Sequence, residues 1–239
     1  PDNAAARLQL VSYAWQAENM DRIISLCKDA RQYNPDEMAF YYYQGIAYYK
    51  QEQLDDALDA FQNGISVINQ QSDTEIVSDF YAVMGDILHQ KGLDKEAFAA
   101  YDSCLTWKDD NYGCLNNYAY YLSEKELHLD KAEQMSYRAI NAEPKNATYL
   151  DTYAWILFKE GRYAEAKIYI DQTLQCDSDS SAVLLEHAGD IYYHTGDHER
   201  ALSYWQQALA KASPKPEPGS EDRRQILTRK IKLKKYLKE

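Results

Sequence analysis

Basic side chains are scarce in this chain: 26 lysines and arginines stand against 38 aspartates and glutamates, a formal charge of −12. Nucleic-acid binding draws on clustered positive charge, so this balance argues against it. Long apolar runs are missing too. No stretch of about 18 hydrophobic residues occurs, so no helix is apolar enough to cross a bilayer. Cysteine is rare, and Cys27, Cys104, Cys114 and Cys176 show no CxxC spacing. A Gly-rich phosphate loop, a nucleophile elbow and an HExxH pair are all absent. His187, His194 and His198 lie close in sequence, but Gly196 breaks the helix between the last two, so a shared metal face is not expected. No histidine sits at a predictable reach of a cysteine for nucleophilic catalysis. Asp177-Ser178-Asp179-Ser180 lacks the glycine and closing glutamate of a calcium loop. It reads as a turn, with Ser180 or Ser181 capping the next helix. The chain is read as having no catalytic residues, no metal site and no cofactor.

What the chain does have is a recurring pattern. A small residue stands at Val11, Gly45, Gly85, Ala119, Ala154 and Gly189, at intervals of 34, 40, 34, 35 and 35 residues. About twelve residues later comes an alanine or its substitute, and four further on an aromatic or apolar residue. A period in this range signals stacked helical hairpins, each unable to bury its apolar face alone. Glycine or alanine at a helix crossing lets the two backbones approach, and the large residue fills the hole beside it. The second repeat is the clearest, with Tyr41, Gly45, Tyr48, Ala57, Phe61 and Gly64. The fifth has Ala154, Leu157, Gly161, Tyr163, Ala166 and Ile170, and the sixth has Leu185, Gly189, Tyr192, Gly196, Ala201, Trp205 and Ala208. Gly92, Gly161 and Gly196 stand where a left-handed residue ends the first helix of a hairpin. Pro35 and Pro144 fall between hairpins, where a helix must stop.

These residues resemble the tetratricopeptide repeat (TPR), a helix–turn–helix of about 34 residues. The resemblance covers roughly residues 4 to 213, and stretches such as LDTYAWILFKEGRYAEAKIYI are similar to bacterial TPR proteins, especially those of Gram-negative envelopes. It implies an all-α, right-handed α-solenoid of about six hairpins, over residues 4–37, 38–72, 73–111, 112–146, 147–181 and 182–213. The solenoid domain is expected over residues 1–220 and a basic C-terminal capping helix over 221–239. The first repeat departs from the pattern with Val11 in the small slot and Cys27 in the aromatic slot, and the fourth with Ser136 in the latter. Six extra residues near Gln70 to Glu75 read as longer helices plus a loop, with Ser72 or Asp73 as N-cap. One extra residue falls near Leu127 to Leu129.

The 22 tyrosines, mostly at helical spacing, suit half-buried helix surfaces where the ring packs and the hydroxyl stays wet. The chain begins at Pro1 with neither methionine nor a basic–apolar leader. It is expected to start partway through a longer protein, with or without a removed signal. Residues 221 to 239 carry eight basic and three acidic side chains, net +5, which leaves −17 on the rest. Ser220 is the expected cap of this last helix, with Ile226, Leu233 and Leu237 as its apolar stripe and Leu227 and Ile231 beside them. It is expected to cover the last hairpin and pair with its acids, across a hinge from Ser213 to Gly219 that holds three prolines. Cys104 should end one hairpin and Cys114 begin the next, which leaves open either a disulfide or two buried thiols.

In TPR proteins the first helices line a concave groove, and by register the resemblance assigns three slots per repeat. The first holds Leu8, Tyr42, Ala82, Asn116, Asp151 and Glu186. The second holds Ser12, Ile46, Asp86, Tyr120, Trp155 and Asp190, and the third Trp15, Tyr49, His89, Ser123, Phe158 and Tyr193. The first two carry no basic residue, which disfavours clamping a peptide carboxylate. The expected ligand face is Tyr42, Tyr49, Asp86, His89, Asn116, Tyr120, Asp151, Trp155, Phe158, Glu186, Asp190 and Tyr193. Such a face suits a protein or peptide partner with basic and apolar side chains, or a sugar stacking on Trp155. The resulting expectation is a non-catalytic interaction scaffold, monomeric or weakly dimeric, in a bacterial periplasm or envelope. The alternatives are the non-catalytic arm of a larger envelope enzyme such as a peptidase, and a structural self-associating module whose groove is filled by its own chain or a second copy. On this reading Asp151→Lys with Asp190→Lys should leave the fold intact.

Overall fold

Thirteen helices and no strand make up the described residues, 2–176, 179–213 and 222–238, of the computed structural model. They are α1 (Ala4–Gln16), α2 (Met20–Arg31), α3 (Met38–Lys50), α4 (Leu54–Ile65), α5 (Thr74–Gln90), α6 (Asp94–Trp107) and α7 (Tyr112–Glu124). There follow α8 (Leu129–Ala142), α9 (Ala147–Lys159), α10 (Tyr163–Cys176), α11 (Ala182–His194), α12 (His198–Lys211) and α13 (Arg223–Leu233). The chain divides into two compact units, Pro1–Asn111 with α1–α6 and Tyr112–Glu239 with α7–α13. No helix among the described residues is long and apolar enough to cross a membrane.

Each hairpin closes the same way. The second residue after the first helix is left-handed: Gly92, Gly161 and Gly196 have φ of 74°, 78° and 89°, and Glu18, Glu52 and Glu126 occupy the same slot at 51°, 59° and 51°. The next N–H then reaches back five residues. Asn19→Ala14, Gln53→Tyr48, Leu93→Leu88, Leu127→Leu122, Arg162→Leu157 and Asp197→Tyr192 all fall at 2.9–3.0 Å. This satisfies carbonyls that a helix end leaves orphaned. Between α7 and α8 the extra residue is absorbed by a second left-handed position, His128 at φ 46°. Asn3, Asn19, Asp73, Asn146, Ser181 and Asp197 cap following helices through their side chains. The extra residues before α5 lengthen it to 17 residues behind the Asp73 cap.

Within each hairpin the small and large slots are matched in volume. A Cβ on Gly45 would stand 2.7 Å from the Phe61 ring, and at Gly85 and Gly189 it would collide with Tyr101 and Trp205. Where the small slot holds alanine the opposite residue shrinks, to Ser136 facing Ala119 and Ile170 facing Ala154, and where it holds Val11 the opposite residue is Cys27. All six of these residues are fully buried. The departures of the first and fourth repeats are therefore exchanges of volume across a crossing, which keep packing density constant. Cys27, Cys104 and Cys114 are buried free thiols and Cys176 is exposed.

The last helix differs from the sequence expectation. Asp222 caps α13, accepting from the Arg224 N–H at 3.0 Å. Ser220 and most of the expected hinge, residues 214–219, lie outside the described residues, as do Asp177 and Ser178 of the expected turn. Arg224 Nη1 donates to carbonyls at the end of α12, Leu209 at 3.0 Å and the C-cap Ala212 at 2.8 Å. The helix stops at Leu233, where Lys234 turns left-handed at φ 48°. The buried face is consequently Ile226, Leu227 and Lys230, while Leu233 is exposed.

Candidate functional site

In unit 2 the first-helix residues assemble one connected cluster. Trp155 on α9 stacks on His187 of α11, centroids 3.9 Å apart and planes 14° off parallel, and on Phe158, 4.7 Å and 8°. The Trp155 Nε1 donates to Glu124 at 2.6 Å. His187 Nδ1 lies 3.0 Å from Asp151 Oδ1. Burial pulls the His187 pKa down, but the charge and hydrogen bond of Asp151 outweigh burial and move it above the ordinary 6.5. Tyr120 lies beside the same imidazole at 6.2 Å, its phenol pushed well up by burial and then by Glu124. With both rings stacked on it and 6% exposure, Trp155 offers no face to a sugar. That expectation is corrected.

Glu186 and Asp190 are each 1% exposed. Lys230 from α13 is inserted between them, its Nζ donating to Glu186 Oε1 at 2.8 Å and to Asp190 Oδ2 at 2.9 Å. Arg223 adds a 2.6 Å bond to Glu186, and Trp205 Nε1 donates to Asp190 at 2.8 Å. Burial opposes the charge on Lys230, but the two carboxylates outweigh it and hold the ammonium above its usual range. Burial likewise raises Glu186, and the Lys230 and Arg223 charges reverse this to a net lowering. Asp190 stays raised by burial, with Glu186 adding to the effect against Lys230. Asp190 thus holds two buried donors, and a lysine there would strand Lys230 and Trp205. The expectation that Asp190→Lys spares the fold is corrected accordingly.

The segment after α13 crosses the C-terminal ends of the first helices. Tyr236 meets His194 and Phe158 edge-on at 4.6 and 5.7 Å, and Lys238 lies 2.8 Å from Glu126. Tyr193 packs beside Trp205 and His198 at 5.7 and 4.6 Å. Asn116 is buried, its Nδ2 donating to Asn117 at 3.3 Å while its Oδ1 has no bonded partner.

In unit 1 the predicted residues sit on α3 and α5. Tyr42 is tilted on Phe80 at 5.5 Å, and burial followed by the Asp79 charge pushes its phenol up to about 12. Tyr49 accepts from Gln90 Nε2 at 2.8 Å. Asp86 accepts from the Tyr101 hydroxyl at 2.6 Å, and His89 Nδ1 lies 2.9 Å from Asp94. Asp79, absent from the register-based set, adds a carboxylate bonded by Asn111 at 3.1 Å and raised mainly by burial. Among the described residues no group of three or more His, Cys, Asp or Glu is placed to hold a metal ion. Glu124, His187, His194, Lys230 and Tyr236 were not in the predicted set. A register signal existed for His187, one position beyond Glu186. None existed for Tyr236, whose partners Phe158 and His194 are remote in sequence.

The family description that matches this chain is Tetratricopeptide repeat, over residues 8–66 and 154–216, with a second model of the same description over 78–111. The chain belongs to the tetratricopeptide-repeat family. It is 23% identical over 175 residues to the TPR repeat-containing protein PA4667 of Pseudomonas aeruginosa, a stretch that is 73% of this chain and 29% of that protein. This chain therefore spans under a third of the curated relative it matches. Its fold is similar to that of PilW, described as a widely conserved type IV pilus biogenesis factor, with a TM-score of 0.71 at 17% identity over 93% of this chain and 97% of PilW. YrrB, described as a TPR protein with an unusual peptide-binding site, gives a TM-score of 0.60 at 15% identity, covering 77% of this TPR chain and 90% of YrrB. At these identities the likeness is one of fold.

Proposed function

We propose that this TPR protein is a non-catalytic scaffold that binds a protein or peptide partner on the faces of its first helices, and that the partner presents basic and apolar side chains. One observation carries the reading: the chain's own basic segment seats on that face in unit 2, with Lys230 between Glu186 and Asp190. A surface that accepts an ammonium and a tyrosine from its own tail has the chemistry to accept them from another chain. Unit 1 presents related chemistry through Tyr42, Tyr49, Asp79 and Asp86. The peptide-binding site named for YrrB supports this mode of action, and the pilus role named for PilW supports a bacterial envelope setting. The reading of a self-filled groove has support in the same tail, and within unit 2 the two readings are compatible.

The test is affinity capture from a bacterial lysate and envelope fraction with wild type, with Tyr49→Ala/Asp86→Asn, and with Ile168→Ser at an exposed position of α10. Asn at position 86 keeps an acceptor for Tyr101 while removing the charge. A partner lost in the double variant and retained by Ile168→Ser supports the reading. A partner held equally by all three chains moves the interface off α3 and α5.

A further inference from the structure

The C-terminal segment is held in two different ways. α13 is part of the packed body, since Ile226 and Lys230 have at most 5% exposure and Arg224 closes the end of α12. Beyond Lys234 the chain is held by fewer groups, chiefly Tyr236, which packs on the core edge with the Lys230 Nζ 5.5 Å from its ring centroid, and Lys238. Lys238 and Glu126 pair with side-chain exposures of 66% and 41%, a solvated geometry in which an ion pair contributes little. Tyr236 is half-buried and meets its neighbours ring edge to ring face.

The rings that Tyr236 meets are also held by contacts of their own. Phe158 of α9, Tyr163 of α10 and His194 of α11 stand together, with centroid separations of 5.3 Å for Phe158–Tyr163, 5.1 Å for Phe158–His194 and 4.5 Å for Tyr163–His194. Phe158 is fixed from behind by its stack on Trp155, and His194 Nδ1 lies 3.0 Å from the Asp190 carbonyl. Tyr236 meets Phe158 and His194, and Tyr163 braces both of those rings, so three helices together form a pre-organised slot for an aromatic side chain. Glu126, in the turn after α7, is the acid that a cation two residues farther along reaches.

We propose that the Phe158–Tyr163–His194 slot is a docking site for an aromatic side chain followed two residues later by a lysine, filled in cis by Tyr236 and Lys238, and filled in trans by a partner peptide that displaces the tail. The tail is tethered next to its slot, so it competes at high effective concentration, and a peptide in trans gains access in proportion to how weakly the tail holds. The proposal rests on the reading of the first-helix faces as ligand surfaces, and it names the ligand pattern for one of them.

The probe is a fluorescein-labelled, C-terminally amidated peptide Lys-Lys-Tyr-Leu-Lys, the sequence of residues 234–238, titrated by anisotropy against the full chain. Tyr236→Ala should bind it at least tenfold more tightly than wild type, and His194→Ala in that background should return binding to the wild-type level. The same peptide with alanine for tyrosine should not bind. Lys238→Glu, which loosens the tail without touching the slot, should raise affinity severalfold and serves if Tyr236→Ala fails to fold. A folded Tyr236→Ala or Lys238→Glu chain that binds no better than wild type overturns the proposal, as does equal binding of the alanine peptide. The two readings fail separately. Lost peptide binding with a retained Tyr49→Ala/Asp86→Asn capture defect removes the slot alone, and the reverse removes the assignment of α3 and α5.

Discussion

Units 1 and 2 are made from the same hairpin, yet their charges are handled differently. Unit 1 has 8 basic and 19 acidic side chains, net −11, whereas unit 2 has 18 and 19, net −1. Two acids on α5 accept from neutral groups, Asp86 from the Tyr101 hydroxyl and Asp79 from Asn111, while Glu75 of the same helix pairs with Lys108. The acids on α11 are neutralised by cations of the same chain, and they are buried. Similar carboxylate slots thus serve two ends. With a counter-ion supplied from within, the acid becomes part of the core. In unit 1 Asp79 and Asp86 stay partly exposed, and the net charge of −11 suits the unit to attracting a cationic partner.

The sharpest way to break this comparison is to remove the counter-ion. Lys230→Ala should leave Glu186 and Asp190 buried without compensation and cost about 3–5 kcal/mol. Hydrogen exchange should show the loss of protection largest on α11, α12 and α13. In unit 1, Asp86→Ala removes the acceptor of the Tyr101 hydroxyl from a partly exposed position and should cost about 1 kcal/mol in chemical denaturation. Equal costs at the two sites would contradict the division into structural and surface acids.

Next in size come the hairpin crossings, which both units share. Gly189→Ala drives a methyl into the Trp205 indole and should cost about 1–3 kcal/mol. In unit 1, Val11→Gly and Cys27→Phe should each destabilise, and the double variant should recover part of the loss, because it restores the glycine–aromatic pairing seen at Gly45 and Phe61. Strict additivity of the two penalties in urea melts would remove the volume-exchange account of the first repeat.

Smaller effects come from the turns. Glu52→Gly in unit 1 replaces a side chain held at φ 59° by the residue that Gly92, Gly161 and Gly196 supply elsewhere, and should stabilise by about 0.5–1 kcal/mol. The pH response belongs to unit 2. The folded pKa of His187 lies above 6.5, so its contribution to stability is complete below that value and is lost as pH rises through the folded pKa. Unfolding free energy should fall over that window, and Asp151→Asn should flatten the slope. An unchanged slope in Asp151→Asn would remove His187 as its source.

Much of this fold was legible in the sequence because repeat periodicity is a local signal. The positions that pack the crossings, from Val11 and Cys27 to Gly189 and Trp205, could be read off by spacing, and all six small-to-large pairs are buried. The site was less legible for a physical reason. Register assigns a residue to a face but does not reveal what covers it. Glu186 and Asp190 were placed on the ligand face, and nothing near them in sequence announces a lysine some 40 residues on. Tyr236 was invisible as well, because α13 was read as continuing past Leu233 and the turn at Lys234 redirects the chain. Trp155 was read as an open platform because the His187 that covers it lies a full repeat away.

The most direct test is hydrogen exchange of the full wild-type chain, alone and with a saturating synthetic peptide of residues 223–238. The account predicts new protection on α3 and α5, in the unit with the larger negative charge, and none on α9 and α11, where the chain's own segment already sits. Protection appearing on α9 and α11 with none on α3 and α5, or no new protection on any of these helices, would contradict it.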